Sequence, residues 1–592
     1  MIKTKPLILI PRLRHSGVFL LLFSCLASAD YFQLDGLDDE PKNNVELILS
    51  GQNITCSDQG VENSLTTKEH LKEQVARAIQ PYGFFSPQVI VNFDTKQAPC
   101  VDITVDQGKA VRYQSVELRL VGSGLDEPEL KTILDKAPIS TGQIFLDQPY
   151  RDLKSDLKVA ALDLGYLDAA FTTAKVDVYP EDYRAEVTLV FDTGLRYAFE
   201  SIQFELDEPT MEADYLAKMI ELRAGDWVES EAMVEARERL IKTRYFSSSF
   251  FELNLDQKRQ VTEAGKTIGL VPLKIRLFNA DRMKHAFKVG YSTDTGPRAG
   301  YSFNHYRINQ YGDQVRFDTT ISQLSQDISI NLMRPSRNEP TKVQYNFALG
   351  YQREQSPDVV NETYLLGINQ TREVTRRWDN MNYIDLSYQV DDYGDRRDEF
   401  WLLVPGVTWD YTQADNLVRP RDALKWHFNV QGALEDVVSD TSFAQINIEN
   451  RLAQGLFRGQ RVITRVALGH TWVEQNDDLP SSYRYLTGGD KTVRGYAYES
   501  IGPNASETGL SGGKSQVVAS VEYEVGLYQN WALAGFYDIG SAFDERPDFH
   551  AGTGFGVRWF SPVGPIKLDL GFPLAEDADN DYRLHFVLGT DF

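Results

Sequence analysis

Tyr485-Leu-Thr-Gly-Gly-Asp-Lys-Thr-Val-Arg-Gly-Tyr-Ala-Tyr-Glu-Ser-Ile-Gly-Pro503 is the stretch on which the reading of this chain turns. It has neither the 3.6-residue period of a helix nor the alternation of a strand. Gly488, Gly489 and Gly495 frame one arginine, Arg494, between Val493 and Tyr496. Glycines allow sharp bends and a close approach of backbone to another surface. Taken alone, the arginine reads as an exposed cation on a surface loop. The sequence on either side decides otherwise.

From about residue 280 the chain alternates. Val343-Gln-Tyr-Asn-Phe-Ala-Leu-Gly-Tyr351 is apolar at nearly every odd position; Val315, Phe317 and Ile321, then Ile328, Ile330 and Leu332, repeat the pattern. Side chains two apart share one face of a strand, and a barrel wall in lipid needs apolar side chains outside and polar ones inside. Tyr301, Phe303, Tyr306, Tyr383 and Tyr388 are expected in the interfacial aromatic girdles. The last strand sets Tyr582, Leu584, Phe586, Leu588 and Phe592 on one face. At about 20 residues per strand and turn, the segment 280–592 has room for about sixteen strands. A soluble sandwich alternates in the same way, so the N-terminus carries weight. Lys3, Lys5, Arg12 and Arg14, the apolar Val18–Phe23 and the small Ala27-Ser28-Ala29 read as a secretion signal over residues 1–29. A short membrane anchor is the alternative, though the run is too brief to span. Lipidation at Cys25 is another, with Phe23 poorly placed for it. No later apolar run is long enough for a spanning helix.

Between 30 and 279 the chain repeats. Gly108-Lys-Ala-Val-Arg-Tyr-Gln-Ser-Val-Glu-Leu118 aligns without gaps on Gly194-Leu-Arg-Tyr-Ala-Phe-Glu-Ser-Ile-Gln-Phe204. Tyr82-Gly83-Phe84, Leu164-Gly165-Tyr166 and Thr243-Arg244-Tyr245 recur between a helical pattern and a strand. Leu130, Ile133 and Leu134, then Tyr150, Leu153, Leu157 and Ala161, have helical spacing. Lys175–Tyr179 and Ala185–Phe191 alternate as strands. Each copy therefore reads strand, helix, helix, strand, strand.

The chain carries a formal charge of −24, and removing residues 1–29 takes away four cations and no acid. Such a chain does not bind nucleic acid by phosphate neutralisation. Past the signal, Cys56 and Cys100 remain; in an exported chain they suggest a disulfide, with two buried thiols as the alternative. Gly509-Leu-Ser511-Gly-Gly513 fits G-x-S-x-G without a strand-to-helix elbow, and Gly513-Lys514-Ser515 resembles the end of a P-loop whose first glycine is Thr508. No histidine or cysteine cluster has metal spacing. The expectation is a non-enzyme without cofactor or metal.

The Val493-Arg494-Gly495-Tyr496 loop resembles that of the BamA/TamA superfamily of outer-membrane assembly proteins. Phe536-x-Asp538-x-Gly540 resembles its partner strand motif. Ser520-Val-Glu522-Tyr523-Glu524 and Gly564–Pro573 resemble two further strand motifs of the family, whereas Leu527-Tyr528 departs from it where relatives often carry proline. The resemblance implies that the loop folds back into the barrel and that Arg494 pairs with Asp538 on the inner wall, Gly488, Gly489 and Gly495 shaping the bend. It implies an α+β repeat region of three POTRA domains (30–108, 109–194 and 195–279) in the periplasm, then an all-β transmembrane barrel of about sixteen antiparallel strands (280–592) in the outer membrane. Three copies resemble the TamA branch; BamA carries five, and two-partner secretion transporters carry two with a plug helix. On that branch the implied partner is a TamB-like inner-membrane-anchored subunit, met through the first POTRA domain. The implied substrates are unfolded autotransporters and other barrels. The implied working element is a weak lateral seam between 285–291 and 582–592, formed by Phe287, Val289, Tyr291, Phe586, Leu588, Gly589 and Phe592, with Gly589 placed to kink the last strand. The alternatives are a two-partner secretion transporter exporting one dedicated substrate, and a passive porin.

Overall fold

The computed structural model describes residues 32–588, except 52–55, 58–59, 62–67, 94–98, 264, 357, 417–418, 436, 458, 476–477, 506–508, 511, 529, 562–563 and 576–579. The chain forms two compact bodies, residues 1–196 and 197–592. The signal expected over 1–29 lies outside the described residues.

The first body holds two α/β modules. In the first, the central strand Val101–Asp106 runs parallel to Phe32–Asp35 and antiparallel to Gln88–Phe93. Helices Asp39–Ser50 and Lys68–Ile79 bury Val45 with Leu49, and Leu71 with Val75 and Ile79, against this sheet. That spacing puts each set on one helical face. Cys100 is buried and disulfide-bonded; the Cys56 side chain lies outside the described residues. In the second module, strand Arg184–Asp192 lies between parallel Arg112–Val121 and antiparallel Ala170–Tyr179. Its Ala185, Val187, Leu189 and Phe191 point into a core completed by Tyr150, Leu153, Leu157 and Ala161 of helix Asp147–Asp163. The two modules abut: the Val111 N–H donates to the Gly83 carbonyl at 2.9 Å, and Phe85 packs on Phe145 at 5.7 Å.

The second body begins with a third module. Strand Lys266–Asn279 pairs in parallel with Tyr197–Leu206 and antiparallel with Phe246–Leu253, beneath helices Ala213–Ile220 and Ser230–Lys242. The helix-end echo has a common backbone cause. Gly83, Gly165 and Arg244 all adopt left-handed φ, of 92°, 85° and 61°. Arginine tolerates that conformation poorly, but here its Nη1 donates to the Tyr306 hydroxyl at 2.9 Å, at the end of a barrel strand. Next to it, the Tyr245 hydroxyl donates to the Gly312 carbonyl at 2.8 Å, and Arg307 Nη1 donates back to the Tyr245 carbonyl. Burial pushes the Tyr245 hydroxyl up to about 12, so it stays a neutral donor. This module therefore packs on the turn 306–313 of the barrel.

The barrel closes over sixteen antiparallel strands, from Met283–Ser292 to Arg583–Leu588. Strand Val343–Gln355 shows the wall plainly: Tyr345, Phe347 and Leu349 are exposed towards the lipid side. The lumen is polar; Tyr383, Gln431, Gln445 and Thr471 form one hydrogen-bonded ladder. Two of the expected girdle residues are therefore misplaced. Tyr383 points inward because its strand sets odd positions to the lumen, opposite the exposed Ile384. Tyr306 is buried against Arg244. Tyr388 lies outside, ringed by Tyr364 and Trp401.

Leu157→Ala should destabilise the second module by about 2–5 kcal/mol, since it empties a fully buried site. A urea titration followed by amide exchange over residues 112–192 checks this, and the heat-modifiable mobility of the barrel should not change.

Candidate functional site

The long connection between strands Gln460–Val473 and Ser515–Tyr528 enters the lumen and ends on the wall. At its tip Arg494 is buried, with 7 % exposure. Its Nε and Nη2 donate to the two oxygens of Asp538 at 2.7 and 3.0 Å, and its own backbone N–H donates to Asp538 Oδ2 at 3.1 Å. Its Nη1 donates to Glu522 Oε2 at 2.6 Å and Asp569 Oδ2 at 3.2 Å. The guanidinium lies 3.5 Å over the Phe536 ring, a cation–π contact as well as an ion pair. A planar five-donor fork is what this geometry demands.

The acids are shared with a second cation. Arg558, fully buried, donates from Nη2 to Glu522 Oε1 at 2.8 Å and to Asp569 Oδ2 at 3.1 Å, and its Nη1 also meets Asp569. Arg461 pairs with the neighbouring Glu524 at 2.6 Å. Four adjacent strands, Ser515–Tyr528, Trp531–Phe543, His550–Ser561 and Gly564–Pro573, thus carry one buried network. The motif reading named Glu522 and Asp569 but not their pairing, and it missed Arg558. One signal was available: Gly552, Gly554, Gly556 and Arg558 alternate on one face of a strand.

Those glycines make the seat. A Cβ on Gly552 would lie 1.9 Å from the Arg494 carbonyl oxygen, one on Gly571 2.6 Å from the Gly495 nitrogen, and one on Gly540 2.8 Å from Val493. The loop backbone therefore lies directly on the wall. On the loop side Gly488, Gly489 and Gly495 all take φ near +100°. Val493 is fully buried, and Tyr496 reaches the Ala551 carbonyl at 3.3 Å. The foot of the loop is tied as well: Ser481 donates twice to Asp391 at 2.6 Å, and the Tyr485 hydroxyl donates to Asn447 Oδ1 at 2.6 Å. Ser511 of the G-x-S-x-G match lies outside the described residues, and Ser515 opens a strand.

The seam lies beside this seat. The first strand pairs with the second through ten Cα partners, and its end meets the last strand at Ser292 and Val587. Phe287 and Val289 are each 82 % exposed on the outer face. Tyr291 packs on Phe586 at 5.8 Å, and Arg298 Nη2 donates to the Leu588 carbonyl at 3.2 Å. Gly589 and Phe592 lie outside the described residues.

Residues 308–592 match the Omp85 superfamily domain, and residues 31–107 match the POTRA domain TamA domain 1. The chain is similar to the outer membrane protein assembly factor BamA of Nitratidesulfovibrio vulgaris (strain Hildenborough), with 24 % identity over 95 % of this chain and 73 % of the relative. Its fold resembles that of Haemophilus ducreyi BamA lacking POTRA domains 1–3. The TM-score is 0.65 and the identity 17 %, over 81 % of this chain and all of that one. CdiB from Acinetobacter baumannii aligns with TM-score 0.46 and 14 % identity, over 81 % of this chain and 90 % of that one.

Arg494→Ala should loosen the loop, because stripping one partner from a buried charge network costs about 3–5 kcal/mol. Amide exchange over residues 485–496 should rise sharply, and Arg494→Lys should not restore it, since an ammonium cannot make the two-pronged contact with Asp538. Gly552→Ala should give the same rise with every charge in place. Normal protection in that variant would mean that the seat is looser than the distances above.

Proposed function

We propose that this chain, an outer-membrane β-barrel protein of the Omp85 superfamily with periplasmic POTRA domains, assembles other barrel proteins at its seam. The observation that carries the reading is the junction of the first and last strands, where Ser292 meets Val587 beside the exposed Phe287 and Val289. A strand edge facing lipid leaves N–H and C=O groups unsatisfied, which is costly in hydrocarbon. An incoming substrate strand satisfies them by adding to the edge, as in β-augmentation. The exposed Phe287 and Val289 offer that strand an apolar neighbour on the lipid side. The chemistry is non-covalent: hydrogen bonds are exchanged and none of the seat residues reacts.

Within the superfamily we favour the TamA-like role. The match of residues 31–107 to the first TamA POTRA domain supports it, as do three α/β modules ahead of the barrel. On this reading the substrates are autotransporters and related barrels, and a TamB-like inner-membrane-anchored subunit docks on the first module. The loop seated in the lumen disfavours a passive porin.

Depleting the protein should reduce surface display of autotransporters while total barrel protein and viability hold. Collapse of all barrels would instead indicate a general insertase, as the BamA similarity suggests. A disulfide formed by Ser292→Cys with Val587→Cys should block assembly when oxidised and restore it when reduced; undiminished assembly in the oxidised form would remove the seam from the mechanism.

A further inference from the structure

The tip of the loop touches both sides of the seam. On the first strand, Ser292 Oγ donates to Asp490 Oδ2 at 2.8 Å. Two residues on, Asp294 Oδ2 accepts the Asp490 N–H at 2.6 Å. On the last strand, His585 is 1 % exposed and points into the lumen, where its Nε2 accepts the Gly495 N–H at 3.0 Å. The other ring nitrogen, Nδ1, faces Asp294 Oδ1 at 3.7 Å. A circuit of contacts therefore runs from the first strand through Asp490 and Gly495 to the last strand, where His585 faces back towards Asp294.

Backbone bonds of the described residues cross the same junction. Besides the Ser292 and Val587 pair, the Thr293 N–H donates to the Phe586 carbonyl at 3.3 Å and the Phe586 N–H donates to Thr293 Oγ1 at 3.2 Å. The loop cannot be shifted without disturbing the circuit. A Cβ on Gly489 would sit 2.5 Å from Asp294 Oδ2, and Gly495 lies against the backbone of Phe572 and Pro573. Gly495 also directly follows Arg494, whose guanidinium is pinned to Asp538.

We propose that the loop tip is a latch on the seam. Asp294 and His585 are its positioning residues: they hold the first and last strands together through Asp490 and Gly495, and the seam opens only when the tip leaves its seat. The proposal rests on the seam as the working edge, but it concerns closure alone and is tested without substrate. It gives the loop a task beyond filling the lumen. Release of the Arg494 pin and release of the seam become one event.

The test is a distance measurement on the full chain in lipid nanodiscs. Spin labels go on Val289→Cys and Leu584→Cys, two exposed outward sites outside the latch. The unsubstituted latch should give one narrow distance. Asp294→Ala and His585→Ala should each add a population longer by at least one strand spacing, about 5 Å. Arg494→Ala should do the same, and combining it with His585→Ala should add nothing further. Ser292→Ala, which removes the hydrogen bonds to Asp490 and from the Asp294 N–H but little volume, serves if a larger change prevents folding; it should shift part of the population. Narrow, unshifted distances in Asp294→Ala, His585→Ala and Ser292→Ala would overturn the latch, as would independent, additive shifts with Arg494→Ala. A seam that opens as described in a chain that assembles no barrel protein would keep the latch and remove the proposed function.

Discussion

The structure depends on a buried arginine held by acids on three strands. Asp538, Glu522 and Asp569 point into one low-dielectric space, and without cations their mutual repulsion would be large. Arg558 comes from the wall itself, but Arg494 comes from a loop. The wall is electrically complete only when the loop is home. That makes the loop a structural member of the barrel rather than an ornament on its rim, and it explains the glycine seat. Charge pairing at 2.6–3.0 Å requires the loop backbone to lie on the wall, and a Cβ at Gly552 or Gly571 would hold it off.

The arc of wall around the loop differs from the rest in consequence. The far wall is held by long ladders and a polar lumen network. The strands that carry the seat lead directly to the seam, so the same short arc of wall holds the buried charge network and the junction of the first and last strands. The tip of the loop occupies the space between the two, bonded to Asp538 on one side and to His585 and Asp294 on the other.

Much of this was legible before any coordinates. Alternation in 343–351 gave the wall, and the echo of Gly108 in Gly194 gave the repeated modules, because both patterns follow from local backbone geometry. The motif of Arg494 and Asp538 gave the principal contact. What was hidden depended on the register between distant strands. His585 reads as an unremarkable polar residue in an alternating strand until shear sets it beside Gly495. Tyr383 looks like a girdle aromatic until its neighbour Ile384 shows which face meets lipid. Arg244 departs from the glycine expected at a helix end, and its reason, Tyr306, lies 62 positions later in the chain. Composition and periodicity assign faces in pairs; they do not say which of two faces is inside.

The placement of the latch follows from where water is. On the lipid side of the seam an unpaired backbone group costs several kcal/mol, so closure by backbone alone would be too favourable to reverse without a replacement strand. On the lumen side polar groups can exchange partners with water, and a hydrogen bond there contributes about 0.5–3 kcal/mol net, most where a carboxylate accepts. Lumenal side-chain bonds therefore close the seam by terms that are individually modest and reversible. The strong term, satisfaction of the lipid-facing edge, is left for an arriving strand. The Ser292 and Val587 junction and the polar contacts behind it are two parts of one arrangement.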